Sequence, residues 1–157
     1  MCKQILSVLI VSLVHFQTSW TAPLDSKQVS LTELGTSRNV TYYVGHEEIS
    51  WDAGKALCEF NNMALAEVHH AEQEEFLKLA LTSLDEFSHY HTGGRTRVGL
   101  DSLVWEGSRS GVNELSGVSL NYQEPLCLLI RVPDYQTLWE TDPCTDMWPP
   151  VCQTPSS

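Results

Sequence analysis

The chain is short of basic residues. Nine Lys and Arg stand against 20 Asp and Glu among 157 residues, a net charge of −11 at neutral pH. Nucleic acid and anionic membrane are poor partners for such a chain, because counterion release and surface attraction both need cations. Long apolar runs are also missing. The most apolar stretch, Ile5–Val14, falls well short of the roughly 20 residues a membrane-spanning helix needs. It does fit a secretory signal over residues 1–22, with Lys3 ahead of it and a cut expected between Ser19 and Ala22. No two cysteines stand in a CxxC pair, which argues against structural zinc. No Gly-x-Ser-x-Gly elbow occurs, and the glutamates near residue 72 have the spacing of a solvated helix face. Repeats and low-complexity tracts are absent as well. With no catalytic motif found, an enzyme is not expected.

Five cysteines are present, and Cys2 would leave with the signal. The four that remain, Cys58, Cys127, Cys144 and Cys152, form an even set in a chain expected to be secreted and extracellular. That pattern implies disulfides, and three connectivities are open. The mature chain of about 135 residues is the size of one domain.

Residues 23–41 are polar and read as a loose lead-in, with an N-glycosylation sequon at Asn39-Val40-Thr41. Thr41–Val44 has strand composition. Ser50 is placed to cap a helix over Trp51–Phe60, with Ala53, Ala56, Leu57 and Phe60 on its expected buried side and Asn61-Asn62 as its stop. A short strand over Met63–Val68 comes next. Glu72, Glu74 and Glu75 favour the start of a second helix over Ala71–Leu84, with Phe76, Leu77, Ala80, Leu81 and Leu84 as its stripe. Asp85–Thr96 contains Gly93-Gly94 and reads as a loop. Beyond it, short apolar runs at 98–100, 103–105, 126–132 and 138–139 alternate with Gly, Pro, Asn and Asp. Two helices followed by short strands predict an α+β fold.

Taken in order, these landmarks resemble the C-type lectin-like domain. Tyr43 through Cys58, YVGHEEISWDAGKALC, is similar to the family's opening strand and first helix. Leu65-Ala66-Glu67-Val68-His69-His70 is similar to its turn into the second helix. Val98-Gly99-Leu100 stands where the family has Trp-Ile-Gly-Leu, and Val104-Trp105-Glu106-Gly107 where it has a Trp-x-x-Gly turn. Cys127, Trp139, Cys144 and Cys152 follow in the family's order. The match covers residues 42–153 and leaves 154–157 as a tail. It implies a C-type lectin-like fold of two helices and short antiparallel strands, with Cys58 bonded to Cys152 and Cys127 to Cys144. No cysteine lies between Pro23 and Tyr43, so the family's extra N-terminal bridge is missing and the short form is implied.

Sugar-binding members of that family hold calcium through a Glu-Pro-Asn or Gln-Pro-Asp triplet and a Trp-Asn-Asp triplet. Calcium wants six to eight oxygens. Here Leu126 follows Pro125, and Trp139-Glu140-Thr141 replaces the second triplet. The stretch from Gly107 to Cys127 is also short for a calcium-holding loop. Glu124, Glu140 and Asp142 are what remains to gather oxygens. Calcium is therefore expected to matter little, and no other cofactor is implied.

His69-His70 and His89-Tyr90-His91 lack ligand spacing to Cys or Glu and are expected to be surface or capping residues. Trp51, Trp105, Trp139 and Trp148 read as core, with Trp148, Tyr122 and Tyr135 as candidates for an aromatic binding surface. Recognition is expected on the face built from Gly107–Glu124 and Tyr135–Asp142, with Glu124, Glu140, Asp142, Tyr122 and Tyr135 as ligand-binding residues. Glu106 and Glu114 add acidity there, against Arg109 and Arg131. Such a face favours neutral sugars or a basic protein surface. The functional expectation is a secreted, non-enzymatic glycan-recognition protein of innate defence. The alternative is a calcium-independent protein–protein interaction module.

Overall fold

A computed structural model describes residues 30–97, 100–112, 125–132 and 139–155, with the side chains of Leu100 and Asp101 excepted. The expected signal over 1–22, Glu114, Glu124, Tyr122 and Tyr135 lie outside the described residues.

Eight strands and two helices are described. Their order is β1 (Leu31–Ser37), β2 (Val40–Gly45), α1 (Trp51–Phe60), β3 (Ala64–Leu65), α2 (Ala71–Leu84), β4 (His89–Arg97), β5 (Leu100–Trp105), β6 (Leu126–Arg131), β7 (Trp139–Pro143) and β8 (Val151–Gln153). One sheet has the order β1-β2-β8-β3 and the other β5-β4-β6-β7, and every pairing is antiparallel. This is the α+β architecture expected from the sequence. Among the described residues no helix is long and apolar enough to cross a membrane.

Both helices have the limits expected from the sequence, α1 with a side-chain cap at its start and α2 without one. Ser50 is extended (φ −64°, ψ 159°) and its hydroxyl accepts the Ala53 N–H at 3.4 Å. Asn62 ends α1 with φ +59°. Asp85 ends α2 in the same left-handed region.

The buried face of α1 differs from expectation. Trp51, Gly54 and Cys58 point inward, whereas Ala53 and Ala56 are exposed and Phe60 is 86% exposed. The reason is local to the neighbours. A Cβ on Gly54 would stand 3.0 Å from Pro150 Cβ, so the bare glycine lets the helix lie against the segment before β8. The Cys58–Cys152 disulfide then holds that side (Cα–Cα 5.5 Å).

Two further segments were read as irregular and are strands. Leu31–Ser37, inside the expected lead-in, forms β1 and pairs with β2. Arg38 and Asn39, with φ of 50° and 63°, make the two-residue turn between them. Asp85–Thr96 was expected to be a loop, but nine residues of it and its neighbour form β4, the strand between β5 and β6. Gly93 and Gly94 serve approach rather than turning. A Cβ on Gly94 would meet Leu128 Cβ at 2.7 Å, and one on Gly93 would meet the Leu65 carbonyl at 3.0 Å. The strand expected over Met63–Val68 is shorter, only Ala64–Leu65.

The main core gathers Tyr42, Val44, Leu77, Leu81, Tyr90, Trp105, Leu128, Ile130 and Trp139 from both sheets and α2. A second cluster surrounds Trp51, Leu65 and the two disulfides. Burial pushes the Tyr42 phenol up to about 12. Cys127 is bonded to Cys144 (Cα–Cα 4.9 Å), tying β6 to the residue after β7. By loop-closure entropy the longer link contributes about 4 to 5 kcal/mol and the shorter about 3.

Candidate functional site

Alternation along β7 sorts its side chains. Trp139 enters the core at 1% exposure and meets Trp105 edge-on (centroids 6.2 Å), while Glu140 and Asp142 share the other direction. In the antiparallel register Glu140 stands opposite Leu129 and Asp142 opposite Cys127. On the next strand pair His89 faces Arg131. These registers put Glu140, Arg131 and His89 on one face of the sheet, with Glu140 one pair along from the Arg131–His89 pair.

The three side chains are electrostatically linked. The Glu140 carboxylate lies 3.3 Å from His89 Nε2 and 3.7 Å from Arg131 Nη1. Glu140 and Arg131 are about half exposed. His89 is more buried, and its ring stacks on Trp148 with centroids 4.6 Å apart. Burial pushes the Asp142 carboxyl above its ordinary value, and the neighbouring Glu140 and Asp146 push it further. His89 and the Trp148 indole partly offset them.

Trp148 is held firmly for a residue outside regular structure. Its N–H and C=O both pair with Ile49, at 3.1 and 3.3 Å. The same segment is pinned by Trp51 N–H to Cys144 O, His91 N–H to Pro149 O, and Gly45 N–H to Pro150 O. A half-buried aromatic ring, two acidic groups and a cation are thus presented on a fixed frame.

The expected site residues divide as follows. Glu140 and Asp142 are adjacent on one face, with Arg131 beside them. Glu124, Tyr122 and Tyr135 lie outside the described residues. Glu106 and Arg109 line a separate cavity of about 230 Å³ with Lys55 and Glu59. His89 was not expected at the site. Its only sequence signal was the His-Tyr-His alternation, which Gly93-Gly94 obscured. Trp148 is half-buried rather than core.

Two other residues take roles that spacing did not reveal. His91, expected at the surface, is wholly buried. Its Nε2 lies 3.1 Å from both the Ile49 and Asp146 carbonyls, and its Nδ1 has no hydrogen-bond partner. Burial lowers its pKa, against the pull of those two carbonyls and the Asp146 charge. Glu67 is 4% exposed and accepts the N–H groups of Gly107 (2.7 Å) and Ser108 (3.0 Å), with His69 Nε2 3.1 Å away.

Among the described residues, which leave out Glu124, no three His, Cys, Asp or Glu side chains are grouped to hold a metal.

Neither a protein-family model nor a curated protein sequence matches the chain. Solved structures do. Human lithostathine aligns with 19% identity over 77% of this chain and 95% of its own, at a TM-score of 0.66. A complex of SPL-1 with GlcNAc aligns with 22% identity over 75% and 89%, at 0.64. The Ca2+-independent C-type lectin SPL-2 from Saxidomus purpuratus aligns with 19% identity over 73% and 85%, at 0.61. At these identities the likeness shows the fold: two helices, two antiparallel sheets and two disulfides in the C-type lectin-like arrangement.

Proposed function

We propose that this chain is a secreted recognition protein that binds a neutral carbohydrate through the β7 face, without a calcium requirement. The observation that carries the reading is the pairing of Glu140 and Asp142 on one face of β7 with the fixed ring of Trp148 nearby. Carboxylates accept hydrogen bonds from sugar hydroxyls, and an aromatic ring packs on the apolar face of a pyranose. His89 and Arg131 orient the Glu140 carboxylate. The nearby acidic trio of Glu140, Asp142 and Asp146 disfavours sulfated and sialylated sugars by like-charge repulsion. The Ca2+-independent C-type lectin SPL-2, and SPL-1 solved as a complex with GlcNAc, share this fold, which supports the reading by analogy.

The test is a glycan array probed with and without chelator. Retention of neutral glycans in both conditions is the expected result. Binding that chelator abolishes would overturn calcium independence. An empty array, with capture of a protein ligand instead, would favour the interaction-module alternative.

A further inference from the structure

The turn between β1 and β2 carries the sequon. Asn39 is exposed and left-handed (φ 63°), and Thr41 completes the motif on β2. Its two neighbours, Arg38 and Val40, line a cavity of about 530 Å³. His70, Ser108, Gln153 and Pro155 are among the residues on the other walls. Arg38 reaches Glu72 at 3.3 Å, fixing the turn against the start of α2 and so shaping the rim.

The lining suits an amide-bearing sugar. Gln153 uses its amide oxygen for the Glu67 N–H (2.7 Å), which leaves its NH₂ as a donor. The His70 ring makes no cap to the helix it precedes. The Ser108 hydroxyl is engaged by Ser110 (2.8 Å), and Val40 and Pro155 supply apolar surface. The volume falls within the range of small-ligand pockets, roughly 300 to 1,000 Å³. An N-acetylglucosamine unit offers the matching chemistry: an acetamido carbonyl, hydroxyls, a methyl group and an apolar ring face.

We propose that Asn39 carries an N-linked glycan whose first N-acetylglucosamine lies in this cavity. In the attachment step Asn39 Nδ2 forms a bond to the anomeric carbon of an oligosaccharide carried on a polyprenyl pyrophosphate. The pyrophosphate leaves with the electron pair of the broken C–O bond, and the amide loses one proton. The sugar is then tethered one residue from the rim. An effective concentration in the millimolar range half-fills a site whose dissociation constant is also about millimolar. The glycan thus occupies this end of the domain, away from the β7 residues, none of which lines the cavity. This inference stands apart from the β7 reading.

The experiment uses the full chain secreted from a eukaryotic host that leaves high-mannose glycans. Intact mass and peptide mapping report the state of Asn39. Hydroxyl-radical labelling of His70 and Pro155 is then compared in three forms: intact, trimmed to one N-acetylglucosamine by an endoglycosidase, and stripped by an amidase. Labelling about twofold lower in the first two forms than in the third is expected, as half-occupancy requires. Met147, exposed elsewhere, should label equally in all three. Asn39→Gln should match the stripped form, which separates loss of the sugar from creation of an aspartate. Bare Asn39 in the secreted protein overturns the proposal. So does a glycan whose presence leaves His70 and Pro155 labelling unchanged.

Discussion

His89 Nε2 stands 3.3 Å from the Glu140 carboxylate, although 51 residues separate them in the chain. The contact joins β4 to β7 across β6, and it orients the acceptor on which the proposed recognition depends. Glu140→Gln together with Asp142→Asn should weaken glycan binding about tenfold or more, since each hydrogen bond to a charged group is worth roughly 1.5–3 kcal/mol. Trp148→Ala should weaken it comparably by removing the ring. Isothermal titration measures the affinities. The double variant should keep its stability within about 1 kcal/mol, as partly exposed sites do. Normal binding by the double variant would place the ligand on another face.

Calcium should change stability little. With a dissociation constant weaker than millimolar, millimolar calcium adds well under about 1 kcal/mol. For a domain of this size the melting shift is then at most about 2 to 4 °C. A calorimetric scan with and without chelator measures it, and a reversible rise of about 8 °C or more would reveal a working site.

Acid should weaken the fold through His91. Its folded pKa lies below the unfolded value of about 6.5, so the folded state binds fewer protons there. No penalty exists above that value. The penalty grows as pH falls from about 6.5 toward the folded pKa. Asp142 acts with the opposite sign, because its folded pKa is raised: the strain on its charge is relieved as pH falls through that pKa. Asp146 faces His91 and favours its charged form, which moderates the effect. Urea titrations at pH 7.5 and pH 5.5 should show a stability loss that His91→Gln largely removes, whatever that variant's starting stability. An equal loss in both proteins would sink this account.

Glu67→Ala should destabilise by about 2–4 kcal/mol, because the N–H groups of Gly107 and Ser108 lose their acceptor. Glu67→Gln retains an amide oxygen for them and should lose less. Equilibrium denaturation ranks the two variants.

Gly94→Ala should cost roughly 1–3 kcal/mol by overpacking, since the added carbon meets Leu128 Cβ at 2.7 Å. A free glycine in a strand would instead gain from alanine. A higher melting temperature in the variant would show that β4 and β6 are not so closely apposed.

What was legible in the sequence was local chemistry. Ser50, the two asparagines after Phe60 and the acids after His70 mark helix ends through hydrogen bonds and dipoles that act within a turn, and α1 and α2 have those limits. The even cysteine set implied disulfides, and the ordered landmarks implied the fold now seen. Glu140 and Asp142 were singled out by the resemblance to the family's calcium triplet rather than by a local pattern.

Tertiary structure decided the rest. Gly93-Gly94 spells a turn until Leu128 and Leu65 come close enough to exclude a Cβ, and only then is it a strand. The inward face of α1 depends on where Pro150 lies. His89, His91 and Glu67 acquire their roles from Glu140, from Ile49 and Asp146, and from Gly107 and Ser108, partners 2.7–3.3 Å away in space. Long-range apposition leaves no period or spacing in a chain, because the contacts that create it come from segments tens of residues apart.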